Sequence, residues 1–160
     1  MRAGALSHEH DAPDRESIAS FRIPGEEACL AFAERGVRAS VVRVSPTVHG
    51  PGDYGFIAML IAAARRNGIS AYVGDGAITL RTIADLISRT LGIPTKSLTP
   101  AQAAEHFGVP FMAVAFAADA PASSARTRQL LGWASTHPTL REDMQDGDYF
   151  DTPTSERPER

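Results

Sequence analysis

Only a few residues in this chain have a type and setting that could carry chemistry, and each has a plainer structural reading beside it. His49, in the run TVHGPGD, is the best-placed ionisable side chain, because an imidazole exchanges a proton near neutral pH. The sequence shows it no partner, so a loop histidine is the plainer reading. His8 and His10, in SHEH, could hold a metal loosely, but no third ligand stands near them and no metal site is assigned. His106 falls near a helix C-terminus, where a cation suits the dipole, and His137 precedes Pro138 in a turn. Cys29 could be a nucleophile near a helix N-terminus, yet its neighbours in EEACLAF point to a buried small hydrophobe. Asp53 reads as a helix cap and Asp75 as a turn residue, and a two-carboxylate mechanism would require them to be close in space. Arg65, Arg66 and Arg81 read as charged residues that keep helix surfaces wet. No residue is assigned a catalytic role.

The bulk properties exclude several classes. The 160 residues suffice for one domain with a real core, and 43% hydrophobic residues with 13 glycines and 11 prolines describe a globular chain rich in turns. A net charge of -3 gives no pull toward nucleic acid or an anionic membrane. One cysteine permits no internal disulfide, no apolar run reaches membrane-spanning length, and the N-terminus lacks the apolar segment of a signal peptide. The expectation is a cytoplasmic protein.

The elements that must position these residues follow from pattern. Residues 1–20 read as a flexible leader, 21–150 as the folded domain and 151–160 as a disordered tail. Pro24, Glu26 and Glu27 open a helix with an Ala28, Ala31 and Phe32 face, stopped at Gly36. The apolar run Ala39 to Val44 predicts a buried strand, and its polar turn after Val44 is where an α/β sheet would place a ligand. Asp53 is expected to cap a helix over 54–66 with the stripe Phe56, Ile57, Leu60, Ile61 and Ala64. Ile69 to Val73 predicts a strand, Gly74-Asp75-Gly76 a turn, and Thr79 to Leu91 a helix facing inward with Leu80, Ile83, Ala84, Ile87 and Leu91. Thr99-Pro100-Ala101-Gln102 is a capping box opening a helix that Gly108 ends. A short helix over Pro110 to Ala118, one capped by Ser123 and stopped at Gly132, and a last one around Leu140 and Met144 complete the series. Trp133 is expected to pack the last helices down. The fold class is therefore α/β, with a few short parallel strands and five or six helices.

Several stretches in order resemble the extended and atypical short-chain dehydrogenase/reductases, the NAD(P)-dependent epimerase/dehydratase family. They are RVSPTVHGPGD (43–53), DYGFIAMLIAAARRNGISAYVGDG (53–76), TLRTIADLISRTLGIP with TPAQAAEHFGVPF, and SSARTRQLLGWASTHPTLREDM (123–144). Together they correspond to the C-terminal, substrate-side half of such a protein, which implies a partial Rossmann-like fold. The resemblance implies that Pro46, Thr47, Val48 and His49 lie near a nicotinamide, and that Arg65, Arg66 and Arg81 could face an anionic substrate such as a nucleotide sugar. It also implies NAD or NADP as cofactor once a nucleotide-binding half completes the site.

The departures from the family are chemical. A glycine-rich G-x-x-G-x-x-G turn, which offers a pyrophosphate the N-terminus of a helix, is absent, and Pro51 removes a donor from Gly50-Pro51-Gly52. No Tyr-x-x-x-Lys exists: the spacing lands on Arg22 and Glu26, the one lysine is Lys96, and tyrosines stand at 54, 72 and 149. An αβ unit between Gly76 and Leu80 is missing as well. The expectation is a truncated epimerase/dehydratase-like protein that is not catalytically active alone. The alternative is an oxidoreductase or sugar-nucleotide epimerase whose nucleotide half comes from another chain. A complementary Rossmann-half chain or a second copy are the partners this implies, with no nucleic acid and no membrane.

Overall fold

A computed structural model describes residues 6–44, 48–73, 78–117 and 122–151. In order, the helices and strands are α1 (Ile23–Ala31), α2 (Phe56–Asn67), β1 (Ser70–Val73), α3 (Ile78–Leu91), β2 (Thr95–Leu98), α4 (Pro100–Phe107), α5 (Pro110–Ala117), α6 (Ala125–Leu131) and α7 (Leu140–Asp146). Single 3-10 turns occupy Ser20–Arg22, Phe32–Arg35 and Asp148–Phe150. This is an α/β architecture whose helices flank a short parallel sheet. The predicted turn at Gly74-Asp75-Gly76, Pro46 and Thr47, and the tail from Thr152 lie outside the described residues. Among the described residues no helix is long and apolar enough to cross a membrane.

The chain divides into two compact units, Met1–Pro46 with Ala120–Ala134, and Thr47–Asp119 with Ser135–Arg160. In the second unit β1 and β2 run parallel, Ser70 opposite Thr95 through Val73 opposite Leu98, with α3 as the crossover between them. The α3 stripe is inward as its period predicts, with Ile83, Ala84 and Ile87 buried and Leu80 and Leu91 partly so. Burying an isoleucine such as Ile83 or Ile87 contributes roughly 1.5–3 kcal/mol. Ser70, the one buried polar residue of β1, donates its hydroxyl to the Ala84 carbonyl at 2.8 Å, which fastens strand to helix. From α2, Ile57, Leu60, Ile61 and Ala64 join the same core, and Phe116 of α5 meets Phe56 and Phe107 edge-on at 5.4 and 5.2 Å. The Thr99 capping box forms in full: its hydroxyl accepts from the Gln102 amide while Gln102 accepts from the Thr99 amide.

In the first unit, α1 continues into a 3-10 turn that ends on Gly36 at φ 80°. Glu26 pairs with Arg43, which also donates to the Asp11 carbonyl at 2.9 Å. Glu9 accepts from the amide and hydroxyl of Thr127 at 2.8 and 2.9 Å.

The structure departs from the sequence pattern at several elements. The run Ala39 to Val44 is not a strand; it makes no ladder among the described residues, and Val42 and Val44 are 82% and 68% exposed. An apolar β-branched run becomes a strand only beside a neighbour that takes its backbone groups. The Ala28, Ala31 and Phe32 face of α1 is exposed, and Ile23 is the buried residue of that helix. Asp53 does not cap α2: Gly55 stands at that position, and Asp53 instead accepts the Gly55 amide at 2.6 Å in the turn before it. Ser124 precedes α6 as the cap residue, while the Ser123 hydroxyl accepts the Ala125 amide at 3.2 Å. Trp133 is 50% exposed and does not pack the last helices down. Strand β2 goes unpredicted, because TKSL carries a single large apolar residue.

Candidate functional site

His49 acquires in space the partner its sequence neighbourhood lacks. Its Nδ1 lies 2.9 Å from Oδ2 of Asp143 on α7, with side-chain exposures of 24% and 11%. An ionised Asp143 can only accept, so Nδ1 carries the proton and a neutral His49 keeps its lone pair on Nε2. The loop after His49 turns through Gly50, Pro51 and Gly52, and the φ of 71° at Gly52 is one that glycine adopts without strain.

The 3-10 turn that follows α7 completes the cluster. Tyr149, buried at its ring, donates its hydroxyl to Oδ2 of Asp53 at 2.8 Å and accepts the Gly50 amide at 3.3 Å. Burial first, then the hydrogen bond to Asp53, pushes this phenol well above the usual tyrosine range. Tyr149 is therefore a standing donor rather than a base. Asp148 accepts the Gly52 amide at 3.2 Å. Gly147 makes the bend possible, because a Cβ there would collide with the Asp143 carbonyl oxygen.

On its outer side the cluster borders an open depression of about 430 Å³ lined by Pro138, Glu142, Asp143, Asp146 and Gly147. Glu142 already serves the α7 capping box, where the Thr139 amide and hydroxyl hold its carboxyl below the ordinary value. Among the described residues no group of three or more His, Cys, Asp or Glu is arranged to hold a metal ion. What the arrangement offers is an imidazole whose ring is oriented by Asp143 through Nδ1.

Of the loop that the resemblance singles out, Val48 is exposed, His49 lies in the cluster, and Pro46 and Thr47 fall outside the described residues. Cys29 is half-buried with Sγ 3.8 Å from the Ser40 carbonyl. Arg65 donates to the Phe150 carbonyl at 2.7 Å, Arg66 to the His106 carbonyl at 3.3 Å, and Arg81 lies 3.9 Å from Asp85 and over the Tyr72 ring. Asp143, Asp148 and Tyr149 escape sequence reasoning, since they are separated from His49, Gly52 and Gly50 by 94, 96 and 99 residues. The only local sign of them is the acid-rich run REDMQDGDYF.

No family model matches the sequence, and no solved structure matches it either. Two curated proteins of yeasts do. The chain is 37% identical to the Schizosaccharomyces pombe protein named "Uncharacterized protein C2A9.02" over 161 aligned positions, covering 79% of this chain and 54% of that protein. It is 28% identical to the Saccharomyces cerevisiae protein named "Uncharacterized protein YLL056C" over 180 positions, covering 91% of this chain and 59% of that protein. The chain thus spans little more than half the length of the curated relatives it matches.

Proposed function

We propose that this chain is the substrate-side portion of an epimerase/dehydratase-like short-chain dehydrogenase/reductase scaffold and transfers no hydride by itself. One observation carries the reading. The reaction of that family needs a phenol made more acidic by a nearby ammonium, to exchange a proton with the substrate oxygen. The tyrosine at this site, Tyr149, is shifted the other way, its hydroxyl committed to Asp53. Lys96, the sole lysine, lies in β2 opposite Ala71.

The loop also fits a dinucleotide poorly. Gly50 and Gly52 already give their amides to Tyr149 and Asp148, Pro51 has none, and Asp53, Asp143 and Asp148 surround the turn with carboxylates that repel a pyrophosphate. No step is routed through NAD or NADP on these residues.

A second reading is favoured by the exposed valine run. Val41, Val42 and Val44 have the composition of a strand and no ladder partner among the described residues, as expected if a complementary Rossmann-half chain, or a second copy, supplied the neighbouring strand. NAD or NADP would then be seated by that half. A cytoplasmic setting belongs to the same proposal.

Titrating the purified chain with NADH and NADPH, followed by nicotinamide fluorescence, tests the reading. The expected result is no saturable enhancement. Saturable binding in the micromolar range would overturn it.

A further inference from the structure

Four polar contacts join the loop at 49–53 to the segment at 139–150, and the segment's side chains contribute to every one. Asp143 meets His49, Tyr149 meets both Gly50 and Asp53, and Asp148 meets Gly52. The segment is self-contained: the Thr139–Glu142 capping box closes its N-terminal end, and the bend at Gly147 admits no side chain. Met144 and the Tyr149 ring reach the core, and Arg65 of α2 holds the Phe150 carbonyl. The rest of what holds the loop is polar and partly exposed, the kind of contact that opens before an apolar core does.

We propose that residues 139–150 form a strap across the 49–53 loop, and that strap and loop open together as one unit while α2, α3 and β1 stay folded. The hinge of this coupling is the Tyr149 hydroxyl. It is donor to Asp53 and acceptor for Gly50 at once, so removing one oxygen cuts two of the four contacts. The strap decides whether the amides of Gly50 and Gly52 and the imidazole of His49 are offered to anything outside the chain. Its bearing on a ligand rests on the reading of this loop as ligand-facing. The strap itself rests on the contacts alone.

Amide hydrogen exchange on the full chain, wild type against Tyr149→Phe, tests it without any ligand. The ring packing is kept and only the hydroxyl is lost. Exchange in residues 49–55 and in 140–150 should accelerate by a matched factor, about thirtyfold for two hydrogen bonds of ordinary net worth, with α2, α3 and β1 unchanged. Acceleration of only one of the two segments, or of the core to the same degree, overturns the proposal. Wild-type protein in sub-denaturing urea gives a check that needs no variant: the two segments must share one opening free energy, lower than that of α2. Separate openings, or opening only with α2, overturn it equally. Because no nucleotide enters either measurement, failure of the cofactor reading leaves the outcome intact.

Discussion

At His106 two effects of ordinary size set the charge of a half-buried imidazole. Burial disfavours the imidazolium, the neighbouring Arg66 disfavours it further, and together they hold the ring below its usual value of 6.5. The Asn67 amide, 3.2 Å from Nδ1, agrees, since it donates to an unprotonated nitrogen. The sequence places this histidine at a helix C-terminus where the dipole favours a cation, and desolvation outweighs that. The sign follows from linkage. As pH falls below the unfolded value, the unfolded chain takes up the proton first, so the folded state loses stability. Urea unfolding between pH 8 and pH 5 should show wild type weakening toward acid and His106→Gln weakening less; equal slopes would refute the assignment. The position of His106 is readable from sequence because a helix end is a local feature. The His49–Asp143 and Tyr149–Asp53 pairs are not, because nothing in the residues around His49 announces a carboxylate 94 positions away.

Elements separate along the same line. The α3 stripe and the Thr99 capping box depend on residues three or four apart, and both are legible in the order of residues alone. Strands are different, since their identity is settled by the partner. TKSL becomes β2 because Ser70–Val73 lies beside it, despite an exposed Lys96 and Ser97. The valine-rich 39–44 run, far the better strand on composition, has no such neighbour among the described residues and stays irregular, with Val41, Val42 and Val44 exposed. This contrast has a measurable consequence. Val42→Ala should alter the stability of the chain by no more than about 0.5 kcal/mol, as for a surface site. Ile87→Ala, at a position 1% exposed in α3, should cost about 2–5 kcal/mol by leaving a cavity. Denaturant midpoints of the two variants decide it, and a Val42 cost approaching that of Ile87 would mean the run is buried in solution.

For the molecule as a whole, the two units differ in how much apolar surface each removes from water. Thr47–Asp119 with Ser135–Arg160 holds the entire hydrophobic cluster, from Ile57 through Tyr149. Met1–Pro46 with Ala120–Ala134 buries Ile23 among its described residues and leaves Phe21, Phe32, Leu130 and Leu131 in solvent. The ion pairs of that unit, Arg15–Glu27 and the half-exposed Glu26–Arg43, do not replace a core, since surface pairs contribute about 1 kcal/mol or less each. The two should therefore not melt as one. The chain's one tryptophan, Trp133, belongs to the weaker unit, whereas most helical residues belong to the stronger. Urea unfolding followed by Trp133 fluorescence should reach its midpoint at a lower concentration than the far-ultraviolet dichroism of the same samples, the mark of a transition that is not two-state. Superimposable curves would show that the first unit draws its stability from contacts as strong as those around Ile61 and Ile87, and the division of burial would then have to be redrawn.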